Sequence, residues 1–228
     1  MSSEVTQDLE MATADRPLRR DAERNRLRIL EAAAELFQEQ GLGVTLNDIA
    51  HHAGVGVGTV YRRYPDKELL IDALFEQHIG EIVTLAQASL DDPQPWRGLV
   101  GFLEGVLERQ ADNQGLKEVL LGSPRGTEHV CFARDRLEPL LAKLVRRAVD
   151  AGELRADVGV TDLAVVQMML GTVADCSREV EPDLWRRYLQ VMLRGLRSEP
   201  LAPDTLVTAG LESEQLDQVM GAWRPSGR

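Results

Sequence analysis

The segment from Thr45 to Tyr64 restricts the possible folds of this chain more than any other stretch, because it combines helix caps with a glycine turn. Thr45 can accept a hydrogen bond from a free N–H of the first helical turn, and Asp48 follows at capping-box distance, where Glu or Gln is more usual. Gly54 stands where a left-handed residue commonly ends a helix. The apolar residues between these caps share one helical face, namely Leu46, Ile49, Ala50 and Ala53. The segment therefore predicts a short capped helix followed by a tight turn.

A second short helix is predicted from about Val57 to Arg63, and Pro65 ends it because the residue before a proline avoids helical geometry. Glycines near its start would let the backbone approach phosphates, and Tyr61 and Arg62 would offer hydroxyl and guanidinium donors. Two short helices joined in this way, with a basic second helix, are typical of the helix-turn-helix that enters the DNA major groove.

Two other interpretations of this segment are weaker. A plain helical hairpin in an all-α core would not need helix caps, a turn glycine and basic residues at the end of the second helix all together. A nucleotide-binding loop is suggested by Gly54, Gly56 and Gly58, but the dinucleotide fingerprint requires Gly or Ala where Tyr61 stands, and no apolar strand precedes the glycines.

The formal net charge of −11 argues at first against DNA binding. Charge acts over only about 8–10 Å at physiological salt, however, so local clusters matter more than the total. Two local clusters are basic and consist of Arg16, Arg19, Arg20, Arg24, Arg26 and Arg28, and of Arg62, Arg63 and Lys67. The first cluster is either a solvated tail or a contact to phosphates or the minor groove, and we favour the contact.

The residues from about Arg24 to Leu74 resemble the DNA-binding domain of the TetR family of transcriptional regulators. The resemblance rests on these pieces: Ile29-Leu30-x-Ala32-Ala33, Leu36-Phe37, Gly41, Thr45-Leu46, Asp48-Ile49-Ala50, Ala53-Gly54-Val55-x-x-Gly58-Thr59-Val60-Tyr61-Arg62 and Tyr64-Pro65-Asp66-Lys67-Glu68-x-Leu70. Gly56 departs from the family, which often has Ser or a similar cap there, and Gly is a weaker cap.

Motif, basic clusters and resemblance together predict contact with a palindromic double-stranded DNA operator. The predicted DNA-binding residues are Arg24, Arg28, Thr45, Gly56, Val57, Gly58, Thr59, Tyr61, Arg62, Tyr64 and Lys67.

The predicted fold is all-α, with a three-helix N-terminal domain joined by a linking helix to a helical ligand-binding and dimerisation domain. The predicted boundaries are a disordered polar arm at 1–20, the DNA-binding domain at 21–75 with its motif at 46–65, the helical body at 76–198, and a linker with a short helix at 199–228. The first helix is predicted over about 21–40 with Leu27, Leu30, Ala34 and Phe37 buried. Further helices are predicted at about 66–90, 96–111, 116–121, 128–151, 161–178, 182–196 and 212–222.

The helices at about 161–178 and 182–197 carry apolar residues on more than one face, which usually marks a partner surface. By resemblance, the same pair from a second subunit completes a four-helix bundle. Twofold symmetry would then set two reading helices about 34–36 Å apart. The alternative is that both faces are buried within one chain. The predicted dimer residues are Leu163, Leu170, Ala174, Leu184, Trp185, Tyr188 and Met192.

The resemblance also implies an effector pocket in the body, although for each candidate residue taken singly we favour ordinary core or solvated surface. The candidates are Phe102, Val106, Arg109, His129, Phe132, Arg136, Met168, Met169 and Cys176. The effector itself cannot be named from the sequence.

The sequence contains no catalytic, metal-binding or cofactor-binding motif, so neither an enzyme nor a cofactor is predicted. His51 and His52 are adjacent, so one helix face cannot present both as ligands. No apolar run suggests a membrane span, and the polar N-terminus is not a signal peptide. Cys131 and Cys176 are predicted to be buried thiols in a reducing, cytoplasmic setting.

These patterns predict a homodimeric, sequence-specific DNA-binding regulator, most simply a repressor that a small-molecule effector releases from DNA by tilting the helix at 66–90. Two alternatives remain open at this point. One is an activator on the same fold. The other is a helical protein that sequesters small molecules without binding DNA, against which the intact run from Thr59 to Arg62 argues.

Overall fold

The computed structural model describes residues 2–112, 126–198, 211–215 and 218, with the backbone alone for residues 2–19, 112, 126 and 127. These parts of the chain are helical and contain no strand, apart from one antiparallel bridge between Leu154 and Arg197. The helices are α1 (Ser2–Gln40), α2 (Leu46–Ala53), α3 (Val57–Arg63), α4 (Lys67–Leu90), α5 (Pro95–Asp112), α6 (Gly126–Asp150), α7 (Val160–Ser177) and α8 (Leu184–Leu196), and a 3₁₀ turn (Gly41–Gly43) follows α1. The chain forms two compact units, Met1–Leu74 and Phe75–Arg228, which we call the N-terminal and C-terminal units.

The fold class is the predicted all-α class, and α3 has the predicted bounds. The start of α1 differs, because residues 2–20 are helical where the sequence predicts a disordered arm. The absence of an apolar stripe argues against burial, but it does not prevent a helix among residues such as Glu10, Met11 and Ala12, which favour helix intrinsically. The predicted helix at 116–121 lies outside the described residues, as does most of the one at 212–222.

The core of the N-terminal unit comes from α1, α2, α3 and the start of α4. Its buried apolar residues are Ile29, Leu30, Ala32, Ala33, Leu36, Phe37, Val44, Leu46, Ile49, Ala50, Ala53, Val60, Tyr64, Leu70, Ile71 and Leu74. Leu27, predicted to be buried, is 40% exposed, because the buried stripe of α1 runs through Ile29 and Ala33 instead. This three-helix arrangement places α2 across α1 and leaves one side of α3 uncovered.

In the C-terminal unit, α5 packs against α6 and α7, and α7 packs against α8. Long side chains tie the helix ends together. Arg147 on α6 donates to the carbonyl of Leu90 and, at 2.7 Å, to that of Asp92. Glu153 accepts a hydrogen bond from the backbone N–H of Trp96 at 3.1 Å. These hydrogen bonds hold the end of α4 and the start of α5 against α6 and the residue Glu153 that follows it.

Two expectations about the C-terminal unit are wrong. Cys131 is half-buried and Cys176 is exposed, and both are free thiols, whereas buried thiols were predicted. The last described long helix begins at Leu184 after Asp183 and not at Pro182, which lies in the preceding turn. The helical period does not show which face the neighbouring helices cover, so it does not predict the exposure of the thiols, and it locates the end of a helix only approximately.

Candidate nucleic-acid interface and candidate ligand site

The start of α2 is held by a reciprocal cap between Thr45 and Asp48. The Asp48 N–H donates to the Thr45 hydroxyl oxygen at 3.2 Å, and the Thr45 N–H donates back to the Asp48 carboxylate at 2.9 Å. The Thr45 hydroxyl also donates to that carboxylate at 2.6 Å. These two hydrogen bonds from Thr45, first from its hydroxyl and then from its backbone, lower the pKa of Asp48. The cap therefore fixes α2 from its first residue, in the way the sequence predicts.

The turn between α2 and α3 depends on Gly54, which has φ +60°, the left-handed conformation that favours glycine. Arg28 on α1 donates from Nη2 to the Gly54 carbonyl at 3.3 Å. A Cβ at position 54 would lie 2.8 Å from that nitrogen. In this conformation Arg28, predicted to contact DNA, holds the turn that positions α3.

Helix α3 exposes most of its surface, since Val60 is its only buried residue. Its start is capped by the backbone alone, with the Thr59 N–H donating to the Gly56 carbonyl at 2.8 Å. Among the predicted DNA-binding residues, Gly56, Gly58, Tyr61 and Arg62 are exposed, and Val57 and Thr59 are half-buried. Tyr61 is 44% exposed. The helix thus presents glycine backbone, a phenol and a guanidinium on one accessible surface.

Tyr64 does not fit the predicted DNA-contacting role of its side chain, because it is only 5% exposed. It ends α3 and packs into the core, close to Arg26 on α1. The pKa of Arg26 is raised, mainly by its hydrogen bond to Glu23 and to a smaller degree by Tyr64. Tyr64 is the residue that ends α3, and its buried side chain packs beneath the exposed surface of that helix.

The other two basic residues predicted to bind DNA have partners in the N-terminal unit. Arg24 forms an exposed ion pair with Asp21. The Lys67 ammonium donates to the Leu42 carbonyl and lies 5.7 Å from the centre of the Phe37 ring. An exposed ion pair contributes little stability, so Arg24 can exchange its partner at small cost. Lys67 is bound more firmly to the 3₁₀ turn.

A contact that the sequence did not reveal joins α1 to α2. His52 Nε2 lies 2.7 Å from the Glu35 carboxylate, and both side chains are exposed. The pair fixes α2 across α1 next to the turn. In the sequence, His52 is a candidate only for metal binding, and its spacing from Glu35 carries no local signal.

The predicted dimer residues divide into two groups. Leu163, Leu170, Ala174 and Trp185 are buried within the chain itself, at 4% exposure or less, so these four side chains are covered without a second copy. Leu184, Tyr188 and Met192 are exposed or half-buried. Helices α7 and α8 pack on each other, and these four are among the buried residues of the two helices.

An apolar surface nevertheless remains on α7 and α8. Met169 is 42% exposed, Tyr188 44% and Val191 55%. Cys176, seven residues after Met169, is also exposed. Met169 and Cys176 were predicted to line a pocket, and both side chains are exposed on α7. We call Met169, Cys176, Tyr188 and Val191 the exposed α7–α8 face.

Three of the predicted pocket residues come together around Phe75 at the start of the C-terminal unit. The His129 ring stacks on Phe75 with centroids 4.5 Å apart, and Phe132 lies 6.0 Å from Phe75. The Arg136 guanidinium lies 5.5 Å from the centre of the Phe132 ring. His129 is buried, whereas Phe132 and Arg136 reach the surface of α6. Phe102 and Val106 are buried in the core, and Met168 is half-buried.

A second polar cluster joins α4 to α5. His78 is half-buried, and its pKa is lowered, first by burial and further by the charge of Arg109, while Glu81 opposes the shift. Gln77, beside His78, directs Nε2 to the Glu81 carboxylate at 3.4 Å. Of these residues only Arg109 was predicted, because His78 looked isolated in the sequence. The charge of Arg109 comes from another helix, so no local spacing could have indicated its effect on His78.

A cleft of about 300 Å³ lies elsewhere in the unit, at the ends of α5 and α7. Its lining residues are Glu108, Ala111, Ala174, Arg178, Pro182, Asp183, Trp185 and Arg186. Arg186 pairs with Glu108 at 2.9 Å and with Asp183 at 3.0 Å, and these bonds raise its pKa. The cleft shares only Ala174 and Trp185 with the residues predicted for partner contact, and none with the predicted pocket.

Within the described ranges, no three His, Cys, Asp or Glu side chains form a group that could hold a metal ion. The helices in those same ranges include none with the length and apolar character that crossing a membrane requires.

Comparison with known proteins connects both units to one family. Residues 29–74 match the family described as bacterial regulatory proteins, tetR family. Residues 94–198 match the family described as transcriptional regulator SbtR-like, C-terminal domain.

Individual relatives give the same result. A TetR transcription regulatory protein from Mycobacterium vanbaalenii is 34% identical, with a TM-score of 0.63 over 79% of this chain and 99% of that one. A TetR transcriptional regulator from Streptomyces coelicolor is 28% identical, with a TM-score of 0.61 over 76% of this chain and 98% of that one. An HTH-type transcriptional regulator from Staphylococcus aureus (strain USA300) is 31% identical over 45% of this chain, and the match spans 57% of that protein's length. These relatives are described as regulators of transcription.

Proposed function

This chain belongs to the TetR family of transcriptional regulators, with a helix-turn-helix DNA-binding domain, and we propose that it acts as a homodimeric repressor that a small-molecule effector releases from a palindromic operator. The observation that carries the proposal is the geometry of α2, the Gly54 turn and α3. Both ends of α2 are capped, and the hydrogen bond from Arg28 on α1 to the Gly54 carbonyl holds the turn before α3, while the outer surface of α3 stays accessible.

The exposed surface of α3 suits the DNA major groove. Its glycines permit close approach to phosphates, and Tyr61 and Arg62 offer donors for phosphates or base edges. Arg63 adds a further exposed positive charge beside them. The net charge of −11 disfavours non-specific binding, so affinity would depend on contacts made by this small surface.

Fluorescence anisotropy with DNA from upstream of the protein's own reading frame tests the DNA-binding part. Arg62→Ala and Tyr61→Ala each remove a donor from α3, so we expect about 10-fold weaker binding or more for each. Arg146→Ala removes an exposed charge on α6 and serves as the matched control, with unchanged affinity. Equal affinities for all four proteins would contradict the docking of α3.

We propose that the two copies of the chain meet through the exposed α7–α8 face. Its apolar side chains lie on two neighbouring helices of one unit, and pairing with the same face of a second copy would remove them from water. A twofold axis makes such a contact self-complementary. It would also supply the two reading helices that a palindrome requires.

Sedimentation velocity tests the dimer. Val191→Asp places a charge on the exposed α7–α8 face, and we expect it to shift the protein to monomer at micromolar concentration. Val180→Asp is the matched control, because Val180 is 88% exposed in the turn after α7 and outside that face. A Val191→Asp protein that still sediments as a dimer would place the interface elsewhere.

As a repressor, the protein must lose affinity for DNA when the effector binds. An effector releases DNA only if it binds the DNA-incompetent state more tightly, since equal affinity for both states shifts nothing. We propose that it binds in the C-terminal unit and tilts α4, which changes the spacing of the two copies of α3. Distance measurements between spin labels on the two N-terminal units, with and without effector, test this, and an unchanged distance on release would contradict the tilt.

An activator on the same fold is the second candidate. The position of the DNA footprint relative to the promoter separates the two, because a repressor covers the polymerase site and an activator binds upstream of it. A protein that only sequesters small molecules would bind none of the DNA probes.

A further inference from the structure

The cleft of about 300 Å³ at the ends of α5 and α7 brings apolar and charged side chains from three helices together. Its buried lining residues are apolar, since Trp185 is 1% exposed and Ala174 is 4% exposed. The charged residues that line it are Glu108, Arg178, Asp183 and Arg186. This volume is at the lower end of the range for ligand pockets, so the cleft has room for a small molecule.

Three of these four charged side chains form one group around Arg186. The guanidinium of Arg186 donates from Nη2 to Glu108 at 2.9 Å and from Nε to Asp183 at 3.0 Å. It also lies 4.4 Å from the centre of the Trp185 ring, which adds a cation–π contact. Two carboxylates around one guanidinium leave the group with one negative charge in excess.

The fourth charged residue, Arg178, has no such compensation. Its Nη2 donates to the Ala111 carbonyl at the end of α5, at 2.9 Å. A guanidinium has five N–H donors, and within the described ranges Arg178 makes no other hydrogen bond and no ion pair. Because Arg178 is half-buried, its charge is costly to leave without a partner. The cleft therefore has one uncompensated positive charge and, around Arg186, one excess negative charge.

We propose that this cleft binds a small zwitterion, with one carboxylate and one ammonium group as in a free amino acid. The ligand carboxylate pairs with the Arg178 guanidinium, whose planar fork matches it. The ligand ammonium donates to Glu108 and Asp183, whose carboxylates can accept further hydrogen bonds beside those from Arg186. The apolar part of the ligand packs against Trp185.

The charges of the cleft select for both groups of the ligand at once. A simple carboxylic acid would leave the excess negative charge around Arg186 without a partner, and a simple amine would leave Arg178 without one. The inference goes beyond the proposed function and does not depend on it, since all lining residues belong to the C-terminal unit.

Thermal unfolding of the full chain with matched probes tests the two charges separately. The probes are the standard α-amino acids with β-alanine and γ-aminobutyrate, each with its primary amide and its N-acetyl derivative. At ten times the dissociation constant, an amino acid that binds should raise the unfolding midpoint by about 3–6 °C. The amide lacks the negative charge and the N-acetyl derivative lacks the positive one, so neither should shift the midpoint at the same concentration.

Isothermal titration calorimetry of two variants identifies the residues. Arg178→Gln should weaken binding of the amino acid about 10- to 100-fold and remove the preference for acid over amide. Arg187→Gln is the matched control, because Arg187 is exposed on α8 and does not line the cleft, and it should leave the affinity unchanged.

Glu108→Gln tests the ammonium end of the site. It should weaken binding about 10-fold and reduce the preference for the free amine over the N-acetyl derivative. Glu181→Gln, at an exposed position outside the cleft, should have no effect. Glu108 forms a solvent-exposed ion pair, which contributes little stability, so this variant keeps the test decisive if Arg178→Gln does not fold.

The outcomes separate this inference from the proposed function. An amino acid that shifts the midpoint and loses affinity in both cleft variants supports the inference. Amides or N-acetyl derivatives that bind as well as their parent, equal affinity in Arg178→Gln and Glu108→Gln, or a panel in which no amino acid shifts the midpoint would overturn it. Operator binding by the unliganded wild-type protein decides the proposed function in every case.

Discussion

In the N-terminal unit, the polar groups that hold the turn before α3 form hydrogen bonds with one another. Several buried polar atoms of the described C-terminal unit, by contrast, form no hydrogen bond. Thr45 and Asp48 satisfy each other, and Arg28 meets the Gly54 carbonyl. In the C-terminal unit, Oε1 of Gln77, Oε1 of Gln167 and Oγ of Ser177 are buried without a hydrogen-bond partner. Native proteins satisfy most such groups. The N-terminal unit is therefore complete as a reading surface, and the C-terminal unit has polar capacity left for a ligand.

The largest expected effect tests the assignment of Trp185 to the core of the C-terminal unit and not to a partner surface. Trp185 is 1% exposed, so Trp185→Ala should lower the free energy of unfolding by about 3–5 kcal/mol. Val180→Ala, at an 88% exposed position, should change it by less than about 0.5 kcal/mol. Urea unfolding followed by circular dichroism measures both. If Trp185→Ala lost little unfolding free energy and no longer formed a dimer, Trp185 would belong to the dimer interface and not to the core.

A matched pair on α1 tests the packing of the N-terminal unit. Leu30 is fully buried and Leu27 is 40% exposed, although helical spacing predicts both to be core. Leu30→Ala should cost about 2–5 kcal/mol of unfolding free energy, because it leaves a cavity. Leu27→Ala should cost less than about 1 kcal/mol. If chemical denaturation gave equal losses, the face of α1 that packs against α2 would be assigned wrongly.

The sequence predicts those features of the structure that depend on residues close together in the chain. The cap at Thr45, the turn at Gly54 and the bounds of α3 follow from residues within one or two helical turns of each other, and all three are present. The inward position of Tyr64 and the contact of His52 with Glu35 depend on which helices meet. That information is tertiary, so a chain without aligned relatives does not reveal it. The candidate DNA-binding surface was therefore predicted in large part, whereas the helix faces that are covered in the C-terminal unit were not.

The glycine turn provides a smaller effect with an internal control. Gly54→Ala forces a side chain into the left-handed conformation and against Arg28, so we expect a loss of about 1–2 kcal/mol in unfolding free energy. Gly58→Ala, inside α3, meets nothing within 4 Å and should be neutral or stabilising by up to about 1 kcal/mol. Thermal denaturation of the two variants makes the comparison. Equal effects would mean that the turn is not the strained position in this region.

The smallest effect concerns pH and the C-terminal unit. Burial lowers the pKa of His78 in the folded protein, so the unfolded chain binds the proton more readily. The stability that depends on neutral His78 is complete above about pH 6.5, the ordinary histidine pKa, and falls as the pH drops from there through the folded pKa. His78→Gln should therefore show a shallower loss of unfolding free energy between about pH 7 and 5 than the wild type. Parallel pH curves would place His78 in water.

The central claim is that two copies of α3 read one palindromic site, and hydroxyl-radical footprinting of the operator tests it most directly. The account predicts that the wild-type protein protects two half-sites centred about one helical turn, roughly 34–36 Å, apart. At the same protein concentration, Arg62→Ala should lose both protected regions together. A single protected region, or a two-part footprint that persists unchanged in Arg62→Ala, would contradict the claim.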